Sequence, residues 1–84
     1  MFEIRFKKSV KKDLQKLSKS VQKRVLDNIQ RNLAKDPYKG KGLSGEFKGL
    51  YRWRAGNLRV IYEIQKKQLI VLVLKFGDRK DVYR

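Results

Sequence analysis

Leu50-Tyr51-Arg52-Trp53-Arg54-Ala55-Gly56-Asn57-Leu58-Arg59-Val60-Ile61-Tyr62-Glu63-Ile64 is the stretch that decides the fold. Two alternating runs flank Gly56-Asn57, the pattern of a β-hairpin closed by a two-residue turn. Centring the turn there sets Ala55 opposite Leu58, Arg54 opposite Arg59, Trp53 opposite Val60 and Tyr51 opposite Tyr62. Opposite residues share a face of the sheet. Tyr51, Trp53, Val60, Tyr62 and Ile64 then line one face, with Arg52, Arg54, Arg59, Ile61 and Glu63 on the other. Two arginines directly opposite each other repel, at a cost of ~0.2–1 kcal/mol. A solvated outer face tolerates that cost. So does a site that receives an anion, because planar guanidinium forks suit phosphate.

A second apolar run follows from Leu69 to Phe76, and then Gly77-Asp78-Arg79-Lys80-Asp81-Val82-Tyr83. Leu69 to Leu74 is apolar at every position, which predicts a central strand covered on both sides. The connection lies near Gln65-Lys66-Lys67-Gln68. A two-residue turn at Lys66-Lys67 would put Lys75 on the core face and Leu72 with the arginines. An odd loop or a bulge reverses that choice and is preferred. Ile70, Leu72, Leu74 and Phe76 are then expected in the core. Val71, Val73 and Lys75 join the arginine face, which gains a floor of Ile61, Val71 and Val73.

Toward the N-terminus, Phe2, Ile4 and Phe6 alternate with Glu3 and Arg5, a first strand with one buried face. It is the expected neighbour of the last strand. Ser9 is a plausible N-cap for a helix to about Leu17, with Val10, Leu14 and Leu17 at helical spacing. Lys11 and Lys12 would stand in its first turn, against the macrodipole, and so serve something besides helix stability. Ser18 or Ser20 opens a second helix that ends near Lys35, with an apolar stripe of Val21, Val25, Leu26, Ile29 and Leu33. Asp36-Pro37 stops it. Residues 36–49 carry Gly40, Gly42, Gly45 and Gly49, but their spacing matches no phosphate-binding loop. They read as a connection anchored by Leu43 and Phe47.

The expected fold is α+β with the order β-α-α-β-β-β, in one domain over residues 1–84. A helical hairpin packs on the Trp53/Tyr62 face of a four-stranded, mostly antiparallel sheet. Tyr51, Trp53 and Tyr62 are therefore expected to be structural.

Composition narrows the chemistry. The chain has 84 residues with no cysteine and no histidine, which removes the thiolate nucleophile, thiolate metal sites and the usual general base. The net charge is +15, from 23 basic and 8 acidic residues, a field that draws polyanions. No stretch approaches ~18 consecutive apolar residues, and the N-terminus has no signal-peptide apolar region. A cytoplasmic protein with no membrane association, no metal and no cofactor is expected.

The arrangement resembles the RelE/ParE superfamily of toxins from toxin–antitoxin modules. The resemblance rests on Leu50-Tyr51-Arg52-Trp53-Arg54, Leu58-Arg59-Val60-Ile61-Tyr62 and Gly77-Asp78-Arg79-Lys80-Asp81-Val82-Tyr83, behind a basic helical hairpin. It implies a RelE-like fold and a ribosome-dependent endoribonuclease that cuts mRNA in the ribosomal A site. It also implies a cognate antitoxin, here expected to contribute an acidic, amphipathic segment. The family pattern places basic residues on the second strand, matched by Arg52 and Arg54, and an arginine on the third, matched by Arg59. An arginine after the fourth strand and a tyrosine near the C-terminus match Arg79 and Tyr83. Lys11, Lys12, Lys19, Lys23, Lys75 and Lys80 would extend the RNA-binding surface. The sequence departs from the pattern where relatives often carry lysines in place of Arg52 and Arg54, and a histidine in place of Asp78. No C-terminal helix is expected after Tyr83. A ParE-like inhibitor of DNA gyrase and a non-catalytic nucleic-acid-binding domain are the alternative functions.

Overall fold

The computed structural model describes residues 1–77. The N-terminal alternation forms β1 (Glu3–Phe6), followed by α1 (Lys8–Gln15) and α2 (Lys19–Leu33). Two short 3-10 turns, Pro37–Lys39 and Gly45–Phe47, bracket β2 (Lys41–Gly42). Then come β3 (Tyr51–Ala55), β4 (Leu58–Gln65) and β5 (Ile70–Gly77). The strands form one sheet in the order β1-β5-β4-β3-β2, with β1 parallel to β5 and the other neighbours antiparallel. The sheet has five strands, where the sequence predicts four. The extra strand is β2, whose two residues are too few to show alternation.

The helices differ at one end. Ser18 caps α2, its hydroxyl accepting from the Val21 amide at 3.3 Å. Ser9 does not cap α1, which begins at Lys8 behind Lys7. Lys12 consequently stands in the last turn of α1, where a cation complements the macrodipole. The electrostatic case for a binding role of Lys12 from helix position therefore falls away.

The hairpin register is the expected one: Tyr51, Trp53, Arg54 and Ala55 face Tyr62, Val60, Arg59 and Leu58. Gly56 supplies the positive φ the turn needs, at 64°. The β4–β5 register is a correction. Gln65 pairs directly with Ile70 across a four-residue loop, and Tyr62 with Val73. Leu74 is then an extra residue, because Ile61 pairs with Lys75 and Val60 with Phe76. The bulge exists, but it sits within the strand and not at the loop. Before it Val71 and Val73 face the helices and Leu72 joins the arginines; after it Lys75 faces the arginines and Phe76 the core. The physical reason is that one bulge lets the strand bury both valines without burying Lys75.

Val71 and Val73 pack in the core with Val10, Val25, Ile29, Leu33, Val60 and Tyr62. Burying each aliphatic side chain there contributes ~1.5–3 kcal/mol. The floor expected beside the arginines loses both valines. Its apolar members are Ile61, which is only 1 % exposed, and the half-buried Ile70 and Leu72.

Tyr62 ties the sheet to the connection before β2. Its ring is 0 % exposed and stacks on Tyr51, with centroids 5.7 Å apart. Its hydroxyl donates to the Pro37 carbonyl at 2.6 Å and accepts from the Gly40 amide. A Cβ on Gly40 would lie 2.2 Å from that hydroxyl and 2.7 Å from the Arg52 carbonyl, so only glycine fits without displacement.

Burial pushes the Tyr62 phenol up to about 12, outweighing the lowering effect of the Gly40 amide. Its unfolded value is lower, near ~10. The stability linked to the protonated phenol is therefore fully present below pH ~10 and is lost as pH rises through the folded value. The loss should be ~2–3 kcal/mol. Chemical denaturation from pH 8 to 12 should show this fall in the wild type and a smaller one in Tyr62→Phe. Tyr62→Phe should also lose ~1–3 kcal/mol at neutral pH, because Pro37 and Gly40 lose their partner. Parallel pH profiles for the two proteins would contradict the assignment.

Candidate nucleic-acid interface

The alternation that buries Trp53, Val60 and Tyr62 turns Arg52, Arg54 and Arg59 to the face away from the helices. The structure adds Lys41 and Lys75 to them. Lys41 pairs with Arg52, Arg52 with Ile61, and Ile61 with Lys75, so one row across four strands reads Lys41-Arg52-Ile61-Lys75. The next row toward the hairpin turn holds Arg54 opposite Arg59. Two like-charged pairs thus face each other at one end of the sheet. Lys41 and Arg54 are exposed, while Arg52 and Arg59 are half-buried.

Among the described residues, the carboxylates on this face are at the other end. Glu63 pairs with Leu72 and accepts from the Gln65 amide group at 2.9 Å. Glu3 pairs with Ile70 and forms an ion pair with Arg5. Four residues separate Arg59 from Glu63 along β4, ~13 Å at the usual strand rise. Among the described residues, Lys41, Arg52, Arg54, Arg59 and Lys75 thus gather toward the hairpin turn, while Glu3 and Glu63, with Arg5 opposite Leu72, lie away from it.

The strands that carry the cations are held from behind. Trp53 Nε1 donates to Asn28 Oδ1 on α2 at 2.8 Å. Lys39 Nζ lies 5.6 Å from the Trp53 ring centroid and donates to Asn32 Oδ1 at 3.0 Å. Trp53 and Tyr62 are structural, as their face predicts.

The other sequence-nominated residues divide. Lys75 joins the arginine face through its pairing with Ile61. Lys11, Lys12, Lys19 and Lys23 are exposed on the helical layer and do not converge with the arginines. Arg79, Lys80 and Tyr83 lie outside the described residues. Lys41 was missed by the sequence reading, because its strand is too short to read. Among the described residues, no group of three or more His, Cys, Asp or Glu side chains could hold a metal ion. Nor is any helix there long and apolar enough to cross a membrane.

A helical hairpin behind a sheet with one basic face defines the RelE-like class of small α+β proteins. The family model described as the ParE toxin of type II toxin–antitoxin systems matches residues 4–83. Toxin RelG of Mycobacterium tuberculosis is 30% identical over 84 residues, covering 99% of this chain and 97% of that protein. The toxin–antitoxin complex RelBE2 of M. tuberculosis contains a chain with a TM-score of 0.85 at 28% identity, covering 93% of this chain and 98% of that one. The archaeal RelE–RelB complex of Pyrococcus horikoshii gives 0.70 at 30% identity, covering 96% and 98%. The chain belongs to the RelE/ParE superfamily of toxins from type II toxin–antitoxin modules.

The opposed arginines make a testable trade between stability and binding. Arg54→Gln should raise folding stability by ~0.2–1 kcal/mol by relieving the repulsion with Arg59. The gain should shrink at high salt, where exposed charges are screened. Urea denaturation at two ionic strengths measures it. A salt-independent loss of stability would show that Arg54 is held by attraction instead.

Proposed function

We propose that the chain is a ribosome-dependent endoribonuclease toxin that cleaves mRNA in the ribosomal A site, and that a cognate antitoxin neutralises it. The carrying observation is the convergence of Arg52, Arg54 and Arg59 on one face of the sheet, at its hairpin-turn end. RNA supplies its own nucleophile, the 2′-OH. Its oxygen attacks the adjacent phosphorus, the bond from phosphorus to the 5′-oxygen breaks, and the 2′ proton leaves as the 5′-oxygen gains one. The products are a 2′,3′-cyclic phosphate and a 5′-OH. The protein aligns the reactants and stabilises the charge that builds on the phosphate oxygens.

Arg59 and Arg79 hold those oxygens. Arg52 and Arg54 position the backbone or assist proton transfer. Tyr83 stacks on a base or acts as acid or base. Lys11, Lys12, Lys19, Lys23, Lys75 and Lys80 contribute to the affinity for ribosome and RNA. The roles of Arg79, Lys80 and Tyr83 rest on the sequence pattern.

The antitoxin proposal draws on two solved relatives that are toxin–antitoxin complexes. A cleft of volume ≈ 350 Å³ between α2 and the hairpin turn, lined in part by Leu17, Val21, Val25, Leu58 and Arg24, suits an acidic amphipathic segment. A gyrase-inhibiting function is the second reading, favoured by the ParE description of the matching family model. Programmed ribosomes with mRNA test the first reading, and DNA supercoiling by gyrase tests the second.

Two variants test the site directly. Arg59→Ala and Arg79→Ala should each slow single-turnover cleavage at saturating toxin by ~10²–10³-fold, the scale for losing one donor to a developing oxyanion. Lys23→Ala, on the opposite layer, should act through affinity, because ribosome binding draws on many charges. Near-normal single-turnover rates in both arginine variants would remove the enzymatic reading of this face.

A further inference from the structure

Lys41 has no family pattern to recommend it, yet the fold places it with care. The Tyr62 hydroxyl holds the Pro37 carbonyl and the Gly40 amide, immediately before β2. The lack of a side chain on Gly40 lets the backbone approach the Arg52 carbonyl, and β2 then pairs Lys41 with Arg52 and Gly42 with Tyr51. Two residues of edge strand are in this way fixed by a buried clamp. The result is one cation, Lys41, held directly opposite another, Arg52, on the same face.

Neighbouring strands stand ~4.8 Å apart, so the row from Lys41 through Arg52 and Ile61 to Lys75 spans ~14 Å across the sheet. It runs perpendicular to the strands, with Arg54 and Arg59 beside its middle. A single phosphate cannot use both ends of such a row. A chain of phosphates can.

We propose that Lys41 is a further phosphate-binding residue, whose ammonium holds the backbone phosphate next to the one held by Arg52, Arg54 and Arg59. It thereby directs single-stranded RNA across the strands from β2 toward Lys75. This deepens the reading of the face as an RNA site and rests on it. A lysine on an edge strand also discourages edge-to-edge pairing between molecules. That role needs no phosphate, and the two are separable by counting phosphates.

The test uses 2′-deoxy-blocked oligonucleotides carrying one, two or three internucleotide phosphates, bound to the full chain and followed by NMR titration at several salt concentrations. Wild type should gain affinity with each added phosphate. Lys41→Gln should bind the one-phosphate ligand within about twofold of wild type and the three-phosphate ligand about five- to tenfold more weakly. Its slope of log K against log salt should be smaller by ~0.7, the value for one phosphate contact to a single strand. Lys41→Arg should restore both. Lys67→Gln, in the exposed loop between β4 and β5, should change neither. Equal weakening for all three ligands, or an unchanged slope, would overturn the inference. Should wild type fail to cleave mRNA on ribosomes while the phosphate dependence of Lys41 persists, the enzymatic reading falls and the phosphate contact stands. Should cleavage occur while Lys41→Gln matches wild type throughout, this inference alone falls.

Discussion

A two-residue turn leaves the β3–β4 hairpin almost no freedom of register, and most of the molecule follows from that constraint. Gly56 takes the left-handed conformation that closes the turn, and every residue from Tyr51 to Tyr62 is assigned a face as a result. A slip by one residue would turn Arg52, Arg54 and Arg59 toward the helices and expose Trp53, Val60 and Tyr62. Burying those charges among the apolar residues of the core would cost several kcal/mol each. The same alternation that builds the core therefore gathers the positive charge on the outer face.

The core then serves that face from behind. Asn28 on α2 fixes the Trp53 indole, and Tyr62 fixes the chain before β2. Both aromatic residues sit on strands whose alternate positions carry the cations. Like charges that repel are in this way held in place by packing on the opposite side of the sheet. Donors held before the ligand arrives need little rearrangement when charge develops on it, which is what makes such a face suited to phosphate chemistry.

The hairpin and both helices were legible because each obeys a clear period over enough residues, and the last strand because an unbroken apolar run of that length marks a central strand. Ser18 and Ser20 were both legible as caps ahead of an amphipathic stripe, and the structure selects Ser18. Three features were not. β2 has two residues, so it has no period, and Lys41 stayed hidden with it. The β4–β5 loop contains no glycine: Leu69 takes the positive φ, at 56°, where sequence rules look for Gly or Asn. Leu74 bulges within an unbroken apolar run, where no polar residue marks the change of face. Arg52, Arg54, Arg59 and Lys75 share one face of the sheet, as the sequence alternation and the expected bulge put them. The helical lysines lie on the layer that covers the Trp53/Tyr62 face, where the sequence put the helices.

The central claim is that this basic face promotes attack by the RNA's own 2′-OH. End-group analysis of mRNA recovered from programmed ribosomes tests it most directly. The account predicts 2′,3′-cyclic phosphate and 5′-OH ends within the A-site codon. Cleavage that leaves 5′-phosphate and 3′-OH ends would contradict it, since those ends require water or another external nucleophile at phosphorus.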